Sequence, residues 1–224
     1  MYKFRIRCSA ISKIMGSTNR LTQGNVTYLE NWLKGEIYGR QPRITSKYCE
    51  KGILVEDQAI DFIGQYLGLP LSKNTERKRN DFLEGECDID TGDTIIDNKS
   101  PWDCFTFPVL KDEPPKKEYV LQLQGYMELW GRDKAKLVYT LMNTPEKIVE
   151  KEARFEARNS GEDYEDVLKD LLEYHNYDGR EIHFRYKEFN IEKDEDVIAK
   201  IKQRVKMCQV YIDSLVKKLK IGEF

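Results

Sequence analysis

Residues 85–102 read GECDIDTGDTIIDNKSPW, with five acids, a turn and an Asp-x-Lys triplet inside one hairpin's length. Side chains alternate faces along a strand. In 94–99, Ile95, Asp97 and Lys99 therefore share one face, and Ile96 and Asn98 the other. In 82–90, Glu84, Glu86, Asp88 and Asp90 share a face, with Leu83, Gly85, Cys87 and Ile89 opposite. A two-residue loop at Thr91-Gly92 sets Asp88 across from Ile95. Asp97 is then a diagonal neighbour, with alpha carbons roughly 7–8 Å apart. A three-residue loop would break this parity. Two carboxylates so spaced can share one divalent cation held by oxygen ligands, and the cation offsets their mutual repulsion. A solvent-facing polar strand edge is the other reading of the same residues.

A third carboxylate comes from the helical pattern at 50–67, EKGILVEDQAIDFIGQYL. Helical spacing aligns Glu56 with Gly52, Ala59, Ile60 and Ile63, the small and apolar stripe, so it should point toward the core, while Asp57 and Asp61 fall in solvent. A carboxylate in that position needs a metal, a cation or hydrogen-bond donors; the alternative is a glutamate at the stripe's edge reaching outward. In the helix KEYVLQLQGYMELWG (117–131), Gln122 and Tyr126 share a face four residues apart. Gln122 either faces solvent or presents its amide to the acids.

Further elements frame these residues. SAISKIM (9–15) reads as a short helix capped by Ser9. Residues 25–39 read as a helix, 81–89 and 94–99 as a hairpin, 102–106 as a short strand, and 134–142 as a central strand. Residues 145–176 are charged and helical, 180–191 alternate as a strand, and 193–219 form a long amphipathic helix. Strands and helices mix without strict alternation, which predicts a single α/β domain over 1–224 with a mixed central sheet flanked by helices.

The 224 residues are 40% hydrophobic and 34% charged, with a net charge of −2. That balance argues against coating nucleic acid by bulk charge, though not against local basic patches. ERKR (76–79) and KQRVK (202–206), and less so KKLK (217–220), are such stretches, though each is more often simply a solvated helix or loop face. Trp102 or Phe105 could wedge a duplex end. No apolar run approaches a membrane span and the N-terminus lacks a signal-peptide core, so a cytoplasmic protein is expected. The five cysteines are scattered without close pairs, which predicts free thiols and no iron–sulfur cluster.

Four motifs in order resemble the PD-(D/E)XK nuclease superfamily, and within it the phage recombination exonucleases (lambda-exonuclease-like, or YqaJ-type viral recombinases). They are GILVEDQA with Glu56, GECD with Asp88, IIDNK with Asp97 and Lys99, and QLQGY with Gln122 and Tyr126. Cys87 stands where the family has proline, and Glu86 and Asp90 are neighbouring candidates for the first ligand. The resemblance implies a restriction-endonuclease-like core and Mg²⁺, with Mn²⁺ as a substitute. Glu56, Asp88, Asp97 and the Asn98 carbonyl would hold the ion, and Lys99 and Gln122 would serve the reaction. It implies hydrolysis of DNA from double-strand ends in the 5′-to-3′ direction, with Arg7, Ser9 and Tyr126 at the DNA or its 5′-phosphate. It also implies a homo-oligomer, a trimer by analogy, and a single-strand annealing protein as partner. An endonuclease of the same fold and a non-catalytic DNA-end-binding protein are the competing readings.

Overall fold

A computed structural model of the chain describes residues 2–17, 19–43 and 46–219. Four strands form the main sheet in the order β4 (Ile89–Asp90), β5 (Thr94–Lys99), β6 (Lys134–Thr140) and β7 (Tyr186–Glu192). β5 and β6 run parallel, while β4 and β7 pair antiparallel at the two edges. A smaller sheet beside it has the order β1 (Ile6–Arg7), β3 (Leu83–Gly85), β2 (Lys78–Arg79). The helices are α1 (Gln23–Tyr38), α2 (Lys47–Leu67), α3 (Lys117–Trp130), α4 (Glu146–Ser160), α5 (Tyr164–Tyr174) and α6 (Glu195–Lys218).

The alternation along β5 decides which layer each face meets. Ile95 points into the larger core, with Leu137 of β6, Leu123 and Met127 of α3, and Val205 of α6. Ile96 points the other way, against Ile60 and Ile63 of α2. The sheet is thus covered on both faces, as a strand pair buried on two sides requires. α3 lies unusually close to the N-terminal segment. A β-carbon at Gly125 would stand 2.9 Å from Cys8 Sγ, and one at Gly85 of β3 would stand 3.0 Å from the same sulfur. Glycine at both positions lets helix and strand close on Cys8.

Four expectations need correction. The N-terminal turn is a 3-10 turn over Cys8–Lys13 whose N-cap is Arg7, so Ser9 caps nothing. Residues 81–89 do not form one strand: β3 and β4 belong to different sheets. Residues 102–106 form a turn, because the Asp103 carboxylate accepts from the Thr106 N–H (2.9 Å) and Thr106 Oγ1 from the Asp103 N–H (3.1 Å). These local side-chain bonds satisfy backbone groups that a strand would have paired elsewhere. The strand expected over 180–191 begins only at Tyr186, after a 3-10 turn over Ile182–Phe184, whereas the charged stretch after 145 is helical as expected, in two pieces broken at Gly161 and restarted by Asp163, which accepts from the Glu165 N–H.

Candidate active site

The hairpin turn is Gly92-Asp93, one residue later than the sequence suggested. Thr91 and Thr94 close it, the Thr91 N–H donating to the Thr94 carbonyl at 3.1 Å, and Gly92 takes φ 99°. Either loop has two residues, so the facing parity survives. The register moves by two: Ile89 pairs with Ile96 and Asp90 with Ile95. Continued by one residue, it sets Asp88 directly across from Asp97. Asp90 is drawn away from this centre, because the Arg132 guanidinium holds its two oxygens at 3.0 and 2.9 Å.

Glu56, Asp88, Asp97, Asn98, Lys99 and Gln122 all line one open cleft of about 820 Å³. Asp97 is buried at the end of β5. Its Oδ1 accepts from Gln122 Nε2 at 3.0 Å, and Gln122 also donates to the Tyr126 hydroxyl at 3.0 Å. Asp97 Oδ2 lies 2.6 Å from Lys99 Nζ, yet among the described residues receives no well-directed hydrogen bond. The contact is one of charge more than of geometry. Asp88 Oδ2 accepts from the Asn98 N–H at 2.7 Å, locking the acid to the strand it faces. The Asn98 side chain is spent elsewhere, its amide oxygen accepting from Thr140 Oγ1 at 2.9 Å. Glu56 reaches the cleft from α2 and is held by Lys73 at 2.7 Å.

This crowding shows in the titration of Asp88, pushed up to about 7 by burial first and by the Asp97 charge second. Lys99 is pulled down by burial, but the charges of Asp97 and Asp88 outweigh this and leave its ammonium above the usual lysine range. Among the described residues no three acid, histidine or cysteine side chains stand close enough to form a ligand cluster as they are. The donor set nevertheless fits a hard divalent cation. It is all oxygen, burial and then the Asp97 charge push the Asp88 carboxyl up, and among the described residues one buried carboxylate oxygen, Asp97 Oδ2, accepts no directed bond.

Three of the expected contacts lie away from this centre. Tyr126 is buried in the main core, 4% exposed, and meets Gln122 instead of the cleft surface. Its expected contact with DNA is therefore corrected to support of Gln122. Arg7 and Ser9 do not line the cleft. Arg7 donates to Gln41 at 3.3 Å and lies 3.7 Å from Glu84, and Ser9 is exposed within the 3-10 turn. Of the basic stretches, KQRVK is part structural. Arg204 is buried and donates to the Ile14 and Arg20 carbonyls and to Asn25 Oδ1, at 2.8, 3.1 and 2.7 Å. KKLK ends outside the described residues.

Sequence reasoning missed Lys73, which reaches Glu56 from the segment after α2 with no periodicity to announce it. It also missed Lys51, buried within α2, which donates to the Trp102 carbonyl at 2.8 Å and fixes the segment after β5. Burial draws its ammonium down to about 8, against the opposing pull of Asp103. Its place on the buried side of the α2 stripe, one residue from Gly52, was the available signal.

No protein-family model matches the chain, and no curated protein is similar to it. Solved structures are. A phage-related exonuclease from Haemophilus somnus 129PT is 34% identical over 97% of each chain, with a TM-score of 0.81. The chain belongs to the phage-related exonucleases. This is the lambda-exonuclease-like group of PD-(D/E)XK nucleases that its four motifs resemble. The alkaline exonuclease LHK-Exo from Laribacter hongkongensis shares the exonuclease fold at 16% identity, covering 96% of this chain and 91% of its own, with a TM-score of 0.68. The same enzyme in complex with dAMP matches at 17% identity and the same TM-score.

Proposed function

We propose that this phage-related exonuclease is a Mg²⁺-dependent deoxyribonuclease that digests linear duplex DNA from its ends, 5′ to 3′, in phage-type recombination. The observation that carries the reading is the meeting of Glu56, Asp88, Asp97, Lys99 and Gln122 in one cleft, from three separate chain segments. Mg²⁺, or Mn²⁺ in its place, held by Glu56, Asp88, Asp97 and the Asn98 carbonyl, would supply Lewis-acid polarisation of the scissile phosphate and a more acidic water.

The chain's own groups do the rest. Gln122 Nε2 fixes Asp97 Oδ1 and so leaves Oδ2 facing Lys99. Tyr126 and the surrounding apolar core hold Gln122 in that orientation. The Asn98 N–H fixes Asp88 in the same way. Lys99 offers its ammonium to the attacking water and to charge developing on the phosphoryl oxygens, a preorganised donor of the kind that lowers barriers most. It stays charged at working pH because the neighbouring acids favour its cation.

The test is release of acid-soluble nucleotides from 5′-phosphorylated linear duplex, with and without Mg²⁺, beside a covalently closed circle. Mg²⁺-dependent release from the linear DNA alone is expected. Nicking of the circle would replace this reading with an endonuclease, and shift of linear DNA without cleavage would replace it with an end-binding protein. The same family reading extends to a trimer, tested by sedimentation, and to a single-strand annealing protein as partner, tested by co-purification with a tagged candidate.

A further inference from the structure

The floor of the cleft is acidic, but its rim is not. Lys111 and Lys116 lie on the segment between Phe107 and α3 and line the same cleft. Among the described residues neither has a carboxylate within ion-pair distance, although the chain places ion pairs freely elsewhere. Lys116 Nζ sits 3.5 Å from the Tyr119 hydroxyl and 5.3 Å from the centre of its ring. Lys99 Nζ lies 4.8 Å from the centre of that same ring. Two ammoniums on one aromatic ring repel each other, and among the described residues no acid pairs with Lys116 to offset this. Beneath them Tyr139, paired with Lys99 across the β5–β6 ladder and ring-to-ring with Tyr119 at 6.4 Å, is 5% exposed. Its hydroxyl is buried and among the described residues has no hydrogen-bond partner. Positive charge and hydrogen-bonding capacity are thus both in surplus at one place on the rim, beside a floor that is negative.

We infer that Lys116 and the Tyr119 hydroxyl bind a second phosphate of the strand being cut, the one next to the scissile phosphate. The inference rests on the proposed nuclease function and adds a subsite to it. A polynucleotide strand spaces its charges regularly, so a strand with one phosphate over the acidic floor must carry another past the rim. A bound anion would separate the two ammoniums on Tyr119 and accept from its hydroxyl. The subsite contributes charge and no base reading, so it holds any sequence alike.

The test is binding of a fluorescein-labelled DNA duplex in EDTA, followed by anisotropy across a salt series. Lys116→Gln should flatten the slope of log Kd against log salt by about one, the signature of one lost phosphate contact. Tyr119→Phe should weaken binding about three-fold with the slope unchanged. In wild type, a neutral methylphosphonate replacing the phosphate next to the scissile one should weaken binding as much as Lys116→Gln does, and in that variant it should cost nothing further. An unchanged slope, or methylphosphonate effects that simply add to those of the variant at every position, would overturn the subsite. Because binding is read without metal, absence of cleavage in a parallel Mg²⁺ assay overturns the nuclease reading separately.

Discussion

Lys99 and Arg204 are two cations drawn inward on the same side of the main sheet, and they are satisfied in opposite ways. Arg204 spreads its guanidinium over neutral oxygens, the Ile14 and Arg20 carbonyls and the Asn25 amide. It ties α6 to the N-terminal turn and to the start of α1. Lys99 leans on Asp97, a carboxylate already bonded to Gln122 and pressed by Asp88. A buried cation matched to neutral dipoles is a joint. One left in competition among acids has free energy to release when a substrate or ion rearranges them, which is how perturbed groups come to mark functional sites.

The comparison breaks most sharply on Lys99→Ala. We expect cleavage per folded molecule to fall by a factor of about 10² to 10³, equivalent to roughly 3–4 kcal/mol, with a smaller loss of folding midpoint than Arg204→Met causes. Single-turnover rates beside a urea melt check both halves, and near-native turnover would make Lys99 a bystander. Arg204→Met should do the reverse. Stranding buried carbonyls and an amide oxygen should cost about 2–4 kcal/mol of stability, while activity per folded molecule stays within two-fold. If the same variant loses turnover but not stability, the division between joint and site fails.

Asp88 sharpens the comparison through pH. Its folded carboxyl holds a proton up to about 7, whereas an unfolded one releases it near the ordinary 3.8. Between those values the folded state binds more protons, so metal-free stability should fall as pH rises from about 4 to 7 and then level off. Asp88→Asn should flatten that window and raise stability at pH 8 by about 1–2 kcal/mol, discounted for the group's partial exposure, while abolishing cleavage. Thermal melts in EDTA across this range decide it; an unchanged slope would mean that Asp88 is not the strained acid. The smallest effect belongs to the N-terminus. Arg7→Ala is expected to slow digestion of 5′-phosphorylated ends about three-fold more than 5′-hydroxyl ends, equivalent to ~0.7 kcal/mol. Equal rates on both would leave Arg7 as the surface partner of Glu84 and Gln41.

The parts of the site written in short periods were legible. The facing of Asp97 and Lys99 follows from a two-residue repeat, and the reach of Glu56 from a helical one. Register was half legible. Both possible turns have two residues, so the shared face of Asp88 and Asp97 was safe, but their direct opposition depended on Thr91 hydrogen bonding that propensity does not reveal. Contacts made by folding across long separations were not legible. Lys73 reaches Glu56, and Tyr119 meets Tyr139, through tertiary placement alone. The segment 102–106 misled because its aromatic residues suit a strand, whereas its Asp103 and Thr106 form a closed turn of their own.

The close approach of Gly85 and Gly125 to Cys8 gives the molecule a built-in clock. Burial, together with the nearby Cys87 and Glu84, pushes the Cys8 thiol far above its ordinary range, so a thiol reagent meets no reactive sulfur there while α3 stays seated. Cys49 and Cys104 are exposed and would label at once. With the other buried thiols, Cys87 and Cys208, replaced by serine, the slow labelling of Cys8 that follows would time each lifting of α3 from β3. Since α3 carries Gln122, the same interval measures how long the floor of the cleft stays assembled between openings.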